Sequence, residues 1–145
     1  MLLRQIILIA LGVISSVLIH FGVLRAVFAS RWMRGAPHRW ALLVFLFLLL
    51  FAHVLEIGVY AALFALGVEA WGIGGLSGTF TGSSSDYFYY SAVTYTTVGF
   101  GDITPTDRMR TLTAFEALNG VVLIGWSTSA SFLAMRRAFA VDPKV

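Results

Sequence analysis

Three long apolar stretches separated by short polar segments set the plan of this chain. They run from about Leu2 to Ala29, Trp40 to Val68 and Met109 to Met135, and each exceeds the roughly 20 helical residues that cross a bilayer core. Between the second and third the character changes. Trp71 to Gly78 and then Gly82-Ser83-Ser84-Ser85 are rich in glycine and serine and predict a flexible polar loop. Asp86 to Thr96 follows, too short to cross a membrane. The serines before it suit helix N-capping, and Asp86 falls in the first turn. The aromatic run Tyr87 to Tyr95 has strand propensity, but an unpaired strand at membrane depth would leave its backbone groups unsatisfied, so a short helix is expected.

Composition supports solvation by lipid. Of 145 residues, 59% are hydrophobic and 12% charged, and the mean hydropathy is +0.86, against about a quarter charged in ordinary soluble domains. There is no cysteine, which removes disulfides and thiolate metal sites. Lys and Arg number 10 against 7 acids, but they flank apolar runs and form no basic face, so a nucleic-acid partner is not expected. The excess reads as membrane orientation. The linker with Arg31, Arg34 and Arg39, and the end of the chain with Arg136, Arg137 and Lys144, belong on the cytoplasmic side. Met1 and the loop carrying Glu69, Asp86, Asp102 and Asp107 then face outward. The first stretch is too long for a signal peptide, is interrupted by His20 and Arg25, and has no clear small-residue cleavage site after it. An uncleaved helix is expected.

The strip Thr96-Thr97-Val98-Gly99-Phe100-Gly101-Asp102 carries the chemistry. Gly99 and Gly101 reach positive φ without steric penalty, so successive carbonyls can turn to one side of an extended chain. A dinucleotide-binding glycine motif fails, because its third glycine position is Thr104 and no strand-helix-strand context surrounds it. The T-V-G-F-G-D sequence resembles the filter signature of the potassium-channel pore family, and the likeness extends over about Leu42 to Arg137.

The resemblance implies a fold and a function. The fold is an all-α membrane protein with three transmembrane helices plus a re-entrant pore helix and filter loop, assembled as a four-fold symmetric homotetramer. Its parts are an extra N-terminal helix (1–30), a basic cytoplasmic linker (31–39), an outer helix (40–68), an extracellular loop (69–85), a pore helix (86–96), a filter (97–102), an inner helix (109–137) and a short cytoplasmic tail (138–145). The extra helix lacks the regular arginines of a voltage sensor and is expected on the lipid-facing rim. K⁺ would pass along carbonyls of Thr97, Val98, Gly99, Phe100 and Gly101 in place of its hydration shell. K⁺ is then a permeant ion, and neither a cofactor nor an enzymatic activity is expected. A non-selective cation channel is the alternative, as is a non-conducting or transporter-like membrane subunit.

Further residues are singled out around that strip. Gly120 lies near the family's hinge glycine and Gly125 is a second candidate, with helix packing the competing role for both. Val121, Ile124 and Thr128 share one helix face and are candidates for the cavity wall. Asp102 is held in some relatives by a pore-helix glutamate, but that position is Val93 here. In others a tryptophan holds it, where this chain has Tyr89. Glu116 is expected level with the filter, hydrogen-bonded to Thr94 or Tyr95 as a filter support or in a structural contact. His53 and Glu56 share a face of the second helix and can pair with each other or with His20, as a structural pair or a pH-sensitive one.

Overall fold

The computed structural model describes residues 1–30 and 38–139. The linker residues 31–37 and the tail residues 140–145, with Arg31, Arg34 and Lys144, lie outside them. Helix α1 spans Leu2–Ala29, α2 His38–Ala65, α3 Ser84–Tyr95 and α4 Met109–Ala138. Three of them, α1, α2 and α4, are long and apolar enough to cross a membrane. At 12 residues, α3 is about 18 Å long and cannot.

The apolar stretches become helices because no proline and few polar groups interrupt them, and because in lipid only the helix satisfies the backbone of a lone segment. Leu3, Ile14, Leu18, Phe47, Leu50 and Phe51 are exposed, an outer surface suited to lipid and not to water. α1 docks along α2 and α4 through a seam at Gln5, Leu8, Gly12, Ser16, His20, Leu24 and Val27. Its three- and four-residue spacing keeps these side chains on one face. Gly12 admits the Tyr60 ring, which a Cβ there would meet at 2.5 Å. At one end of the seam, Gln5 Nε2 donates to the Arg108 carbonyl at 3.3 Å and Arg108 Nη1 returns a bond to Gln5 Oε1 at 3.2 Å.

The main core joins Leu8, Ile57, Tyr60, Phe64, Tyr87, Tyr90, Tyr95, Met109 and Leu112, where α3 is wedged between the long helices. Phe64 meets Tyr90 edge to face, with centroids 5.0 Å apart. A smaller cluster of Leu24, Val27, Phe45, Leu49 and Ala130 closes the other end of the bundle.

Three local differences from the sequence expectations stand out. The segment after α2 does not leave as a polar loop at once. Residues Leu66–Ala70 widen into a π-helical turn, with Trp71 N–H bonding the Leu66 carbonyl at 3.0 Å. The stretch expected to be flexible contains a strand, β1 (Leu76–Gly78), antiparallel to β2 (Ile103–Pro105), in register Leu76 to Pro105 and Gly78 to Ile103. The all-α expectation therefore misses a small ribbon, which ties the loop before α3 to the segment after Asp102. Helix α3 starts at Ser84, two residues before the expected Asp86, because Ser83 is the N-cap and its hydroxyl accepts the Asp86 N–H at 3.1 Å.

Candidate functional site

The strip from Thr97 to Gly101 leaves the C-terminus of α3. Thr97 (φ 60°), Gly99 (φ 53°) and Gly101 (φ 80°) have positive φ, whereas Val98 and Phe100 do not. Alternation of positive φ with negative φ is a backbone pattern that lets successive carbonyls turn toward one side. The two glycines adopt it freely, while Thr97, β-branched, bears about 1–3 kcal/mol of strain. Two amides of the strip, those of Thr97 and Gly99, are satisfied behind it by the C-terminal end of α3. Thr97 N–H bonds the Thr94 carbonyl at 2.9 Å, and Gly99 N–H bonds the Val93 carbonyl at 3.1 Å. Val93 and Thr94 thus support the strip through their backbones. Among the described residues, no donor reaches the carbonyls of Thr97, Val98, Gly99, Phe100 or Gly101. A row of free carbonyl oxygens on an exposed strip is a ligand set for a cation.

Asp102 closes the strip. Tyr89, one to two turns back along the pore helix, donates its hydroxyl to Asp102 Oδ2 at 2.9 Å, and that bond to a carboxylate raises the phenol's pKa above its usual value. The Asp102 carbonyl accepts Thr79 N–H at 2.9 Å, continuing the β1–β2 ribbon. At the other end of α3, Asp86 Oδ2 accepts from the Thr81 hydroxyl and the Thr81 amide, both at 2.7 Å. These bonds hold the Asp86 carboxyl below its ordinary range.

Residues 40–137 match a family model described as an ion channel, of the two-transmembrane-helix, potassium-channel-like type. The chain belongs to this ion-channel family. It is therefore an integral membrane protein with ion channel activity. No curated protein and no solved structure matches the chain. Helix α1 lies outside the matched residues.

In this channel the inner helix α4 packs directly on the base of the strip. Gly120 abuts Tyr95, the last residue of α3: a Cβ there would overlap the Tyr95 carbonyl oxygen and lie 3.0 Å from its carbonyl carbon. At Gly125 nothing lies within 4 Å of such a Cβ. The two hinge candidates thus differ, Gly120 sitting in a close contact and Gly125 in open space. Val121 and Ile124 are exposed, as is Thr128, whose hydroxyl bonds back to the Ile124 carbonyl at 2.9 Å.

Glu116 is fully buried, but its partner is neither Thr94 nor Tyr95. Ser91 Oγ lies 2.6 Å from Glu116 Oε1 and 2.8 Å from the Ile57 carbonyl. The rotation of α3 presents Ser91 to α4, one turn before the expected contact. Glu116 Oε2 has no partner among the described residues.

The channel brings His20, His53 and Glu56 together. His20 Nδ1 is 3.0 Å from Glu56 Oε1, and His53 Nδ1 is 3.0 Å from Glu56 Oε2. The Tyr95 hydroxyl also donates to Glu56 Oε2, and Ser127 Oγ is 2.9 Å from His53 Nε2. The cluster thus links α1, α2 and α4 to Tyr95, two residues before the strip. A second polar junction, Asn119 Nδ2 to Ser16 Oγ at 2.5 Å and to Tyr60 Oη at 3.2 Å, also joins α1 to the pore helices. Sequence reasoning passed over Ser16, Tyr60, Ser91, Asn119 and Ser127. The one available signal was Asn119, a full amide inside an apolar helix.

Proposed function

We propose that four copies of this chain surround an axis and conduct K⁺ passively through stacked rings of carbonyls from Thr97, Val98, Gly99, Phe100 and Gly101. One observation carries the reading: a strip of alternating φ whose Thr97 and Gly99 amides are bonded from behind and whose carbonyls have no donor among the described residues. One strip coordinates an ion from one side only; four-fold closure completes the coordination that a dehydrated cation needs. The pore helix adds its C-terminal dipole, which favours a cation in the cavity below. Val121, Ile124 and Thr128 then line that cavity, and Tyr89 and Asp102 clasp the filter from outside. The basic ends lie in the cytoplasm and Met1 outside. The chain performs no catalysis, and K⁺ is its permeant ion.

Purified protein in liposomes tests this. Native mass spectrometry should give four chains, and vesicles loaded with K⁺ should lose it passively and be blocked by Ba²⁺, a divalent ion of K⁺-like size. A stable monomer or dimer without flux overturns the reading. Na⁺ efflux equal to K⁺ efflux favours a non-selective cation pore.

A further inference from the structure

We propose that His20, His53 and Glu56 form a binding site for a transition-metal ion of the Zn²⁺ class, at the joint between α1 and the pore. Three ligand types that suit such an ion converge there, with one candidate donor atom from each residue within 4.8 Å of the others. Two imidazoles and one carboxylate favour zinc, cobalt or nickel over the hard ions magnesium and calcium, which prefer all-oxygen shells. The spacing fits. The two His Nδ1 to Glu56 oxygen distances are 3.0 Å, and ligands at about 2.0–2.1 Å in a tetrahedron lie roughly 3.3 Å apart. The ligand atoms all lie within 4.8 Å of one another, so the two imidazoles, which meet different oxygens of Glu56, close in by up to about 1.5 Å around an ion.

Hydrogen-bond bookkeeping points the same way. Without an ion, both Nδ1–H groups face the Glu56 carboxylate, so each Nε2 needs a donor. Ser127 Oγ is in reach of both, at 2.9 Å from His53 Nε2 and 3.3 Å from His20 Nε2, but a hydroxyl has one proton to give. One ring nitrogen is left short. With an ion on the two Nδ1 atoms, both rings carry the proton on Nε2, and the two lone pairs of Ser127 Oγ accept both. Ser127 is then the outer partner that orients metal-bound histidines.

His20 and Glu56 are fully buried, while His53 is 15% exposed and opens on a groove of about 860 Å³ that Thr96, Ile124, Ser127 and Thr128 also line. An ion reaches the site from that groove. Tyr95, hydrogen-bonded to Glu56 and 2.9 Å from His53 Nδ1, offers the fourth ligand. Tyr95 is adjacent to Thr96-Thr97, so loading acts on the base of the filter; this last step rests on the proposed function, and the binding does not.

The test uses the full chain in detergent micelles, stripped with chelator and titrated calorimetrically with Zn²⁺. One ion per chain is expected. His20→Ala and His53→Ala should each weaken binding at least ~100-fold, and Ser127→Ala about 10–100-fold. X-ray absorption of the zinc-loaded wild type should show imidazole nitrogen in the first shell, which decides the matter even if a variant fails to fold. Absence of saturable binding, undiminished binding by the double histidine variant, or a shell without imidazole overturns the site.

Discussion

Gly120→Ala is expected to damage the filter from behind, through contact with backbone. The new methyl would lie 3.0 Å from the Tyr95 carbonyl carbon and 3.1 Å from the ring Cγ, and would overlap the carbonyl oxygen. Carbon atoms rest at about 3.5–4.0 Å, and the overlap with the carbonyl oxygen is larger than either carbon contact, so Tyr95 must retreat by about 1 Å or more. It cannot swing aside as a surface side chain does. Its carbonyl belongs to the end of α3, its hydroxyl is bonded to Glu56, and its ring is buried. The overpacking cost therefore falls near the upper end of the usual 1–3 kcal/mol. The better helix propensity of alanine offsets about 1 kcal/mol. A net loss of about 2 kcal/mol corresponds to roughly 4–8 °C in midpoint for a chain of this size. The displacement is passed within two residues to Thr97, already at φ 60°, so K⁺ current should fall as well. Thermal unfolding in detergent and bilayer recordings read the two effects. Gly125→Ala, with open space at its Cβ, is the control and should leave the unfolding midpoint at or above wild type. The reasoning fails if Gly120→Ala matches wild type in both assays, and a gating defect confined to Gly125→Ala would move the hinge there.

Other expectations follow from named contacts. Tyr89→Phe and Asp102→Asn should each shorten open bursts while the assembly stays intact, and the double variant should be no worse than the more severe single one; simple additivity would show that the 2.9 Å bond does not hold the filter. Asp86 has a depressed pKa caused first by the Thr81 hydroxyl, so its contribution is present above the usual carboxylate pKa and fades as pH falls through the lower folded value. Wild-type thermal stability should therefore drop below about pH 4 more than that of Asp86→Asn, and parallel curves would refute this. Opening should depend little on voltage: α1 holds only Arg4 and Arg25, each charge moved gains about 2.3 kcal/mol per 100 mV, and several must move for steep gating. A gating charge of several elementary charges would contradict it.

Much of the fold was legible because its signals are local. Uninterrupted apolar length marks α1, α2 and α4, the serines before Asp86 mark the start of α3 to within two residues, and the T-V-G-F-G-D strip announces its own backbone geometry. Tyr89 is expected as the partner of Asp102 from the family resemblance, which has a tryptophan at its position, and the 2.9 Å bond is present. The costly buried charge of Glu56 made its pairing with His20 legible, but most contacts between helices were not, since they depend on rotation about each axis. Glu116 was assigned to Thr94 or Tyr95, but the face that α3 presents places Ser91 there. Likewise, nothing in the sequence around Ser16 indicates that it meets Asn119, 103 residues away. The β1–β2 ribbon was hidden in a stretch of glycine, serine and one leucine, whose pairing comes from a partner beyond the filter.

Selectivity is the property on which the carbonyl strip stands or falls. With the purified protein in a planar bilayer and a tenfold K⁺ gradient balanced by Na⁺, the reversal potential should lie close to the K⁺ equilibrium value, about 59 mV from zero, and should move with K⁺ when the gradient is changed. A reversal potential that stays at zero would mean that K⁺ and Na⁺ pass equally, and the carbonyls of Thr97 to Gly101 would not be a potassium filter.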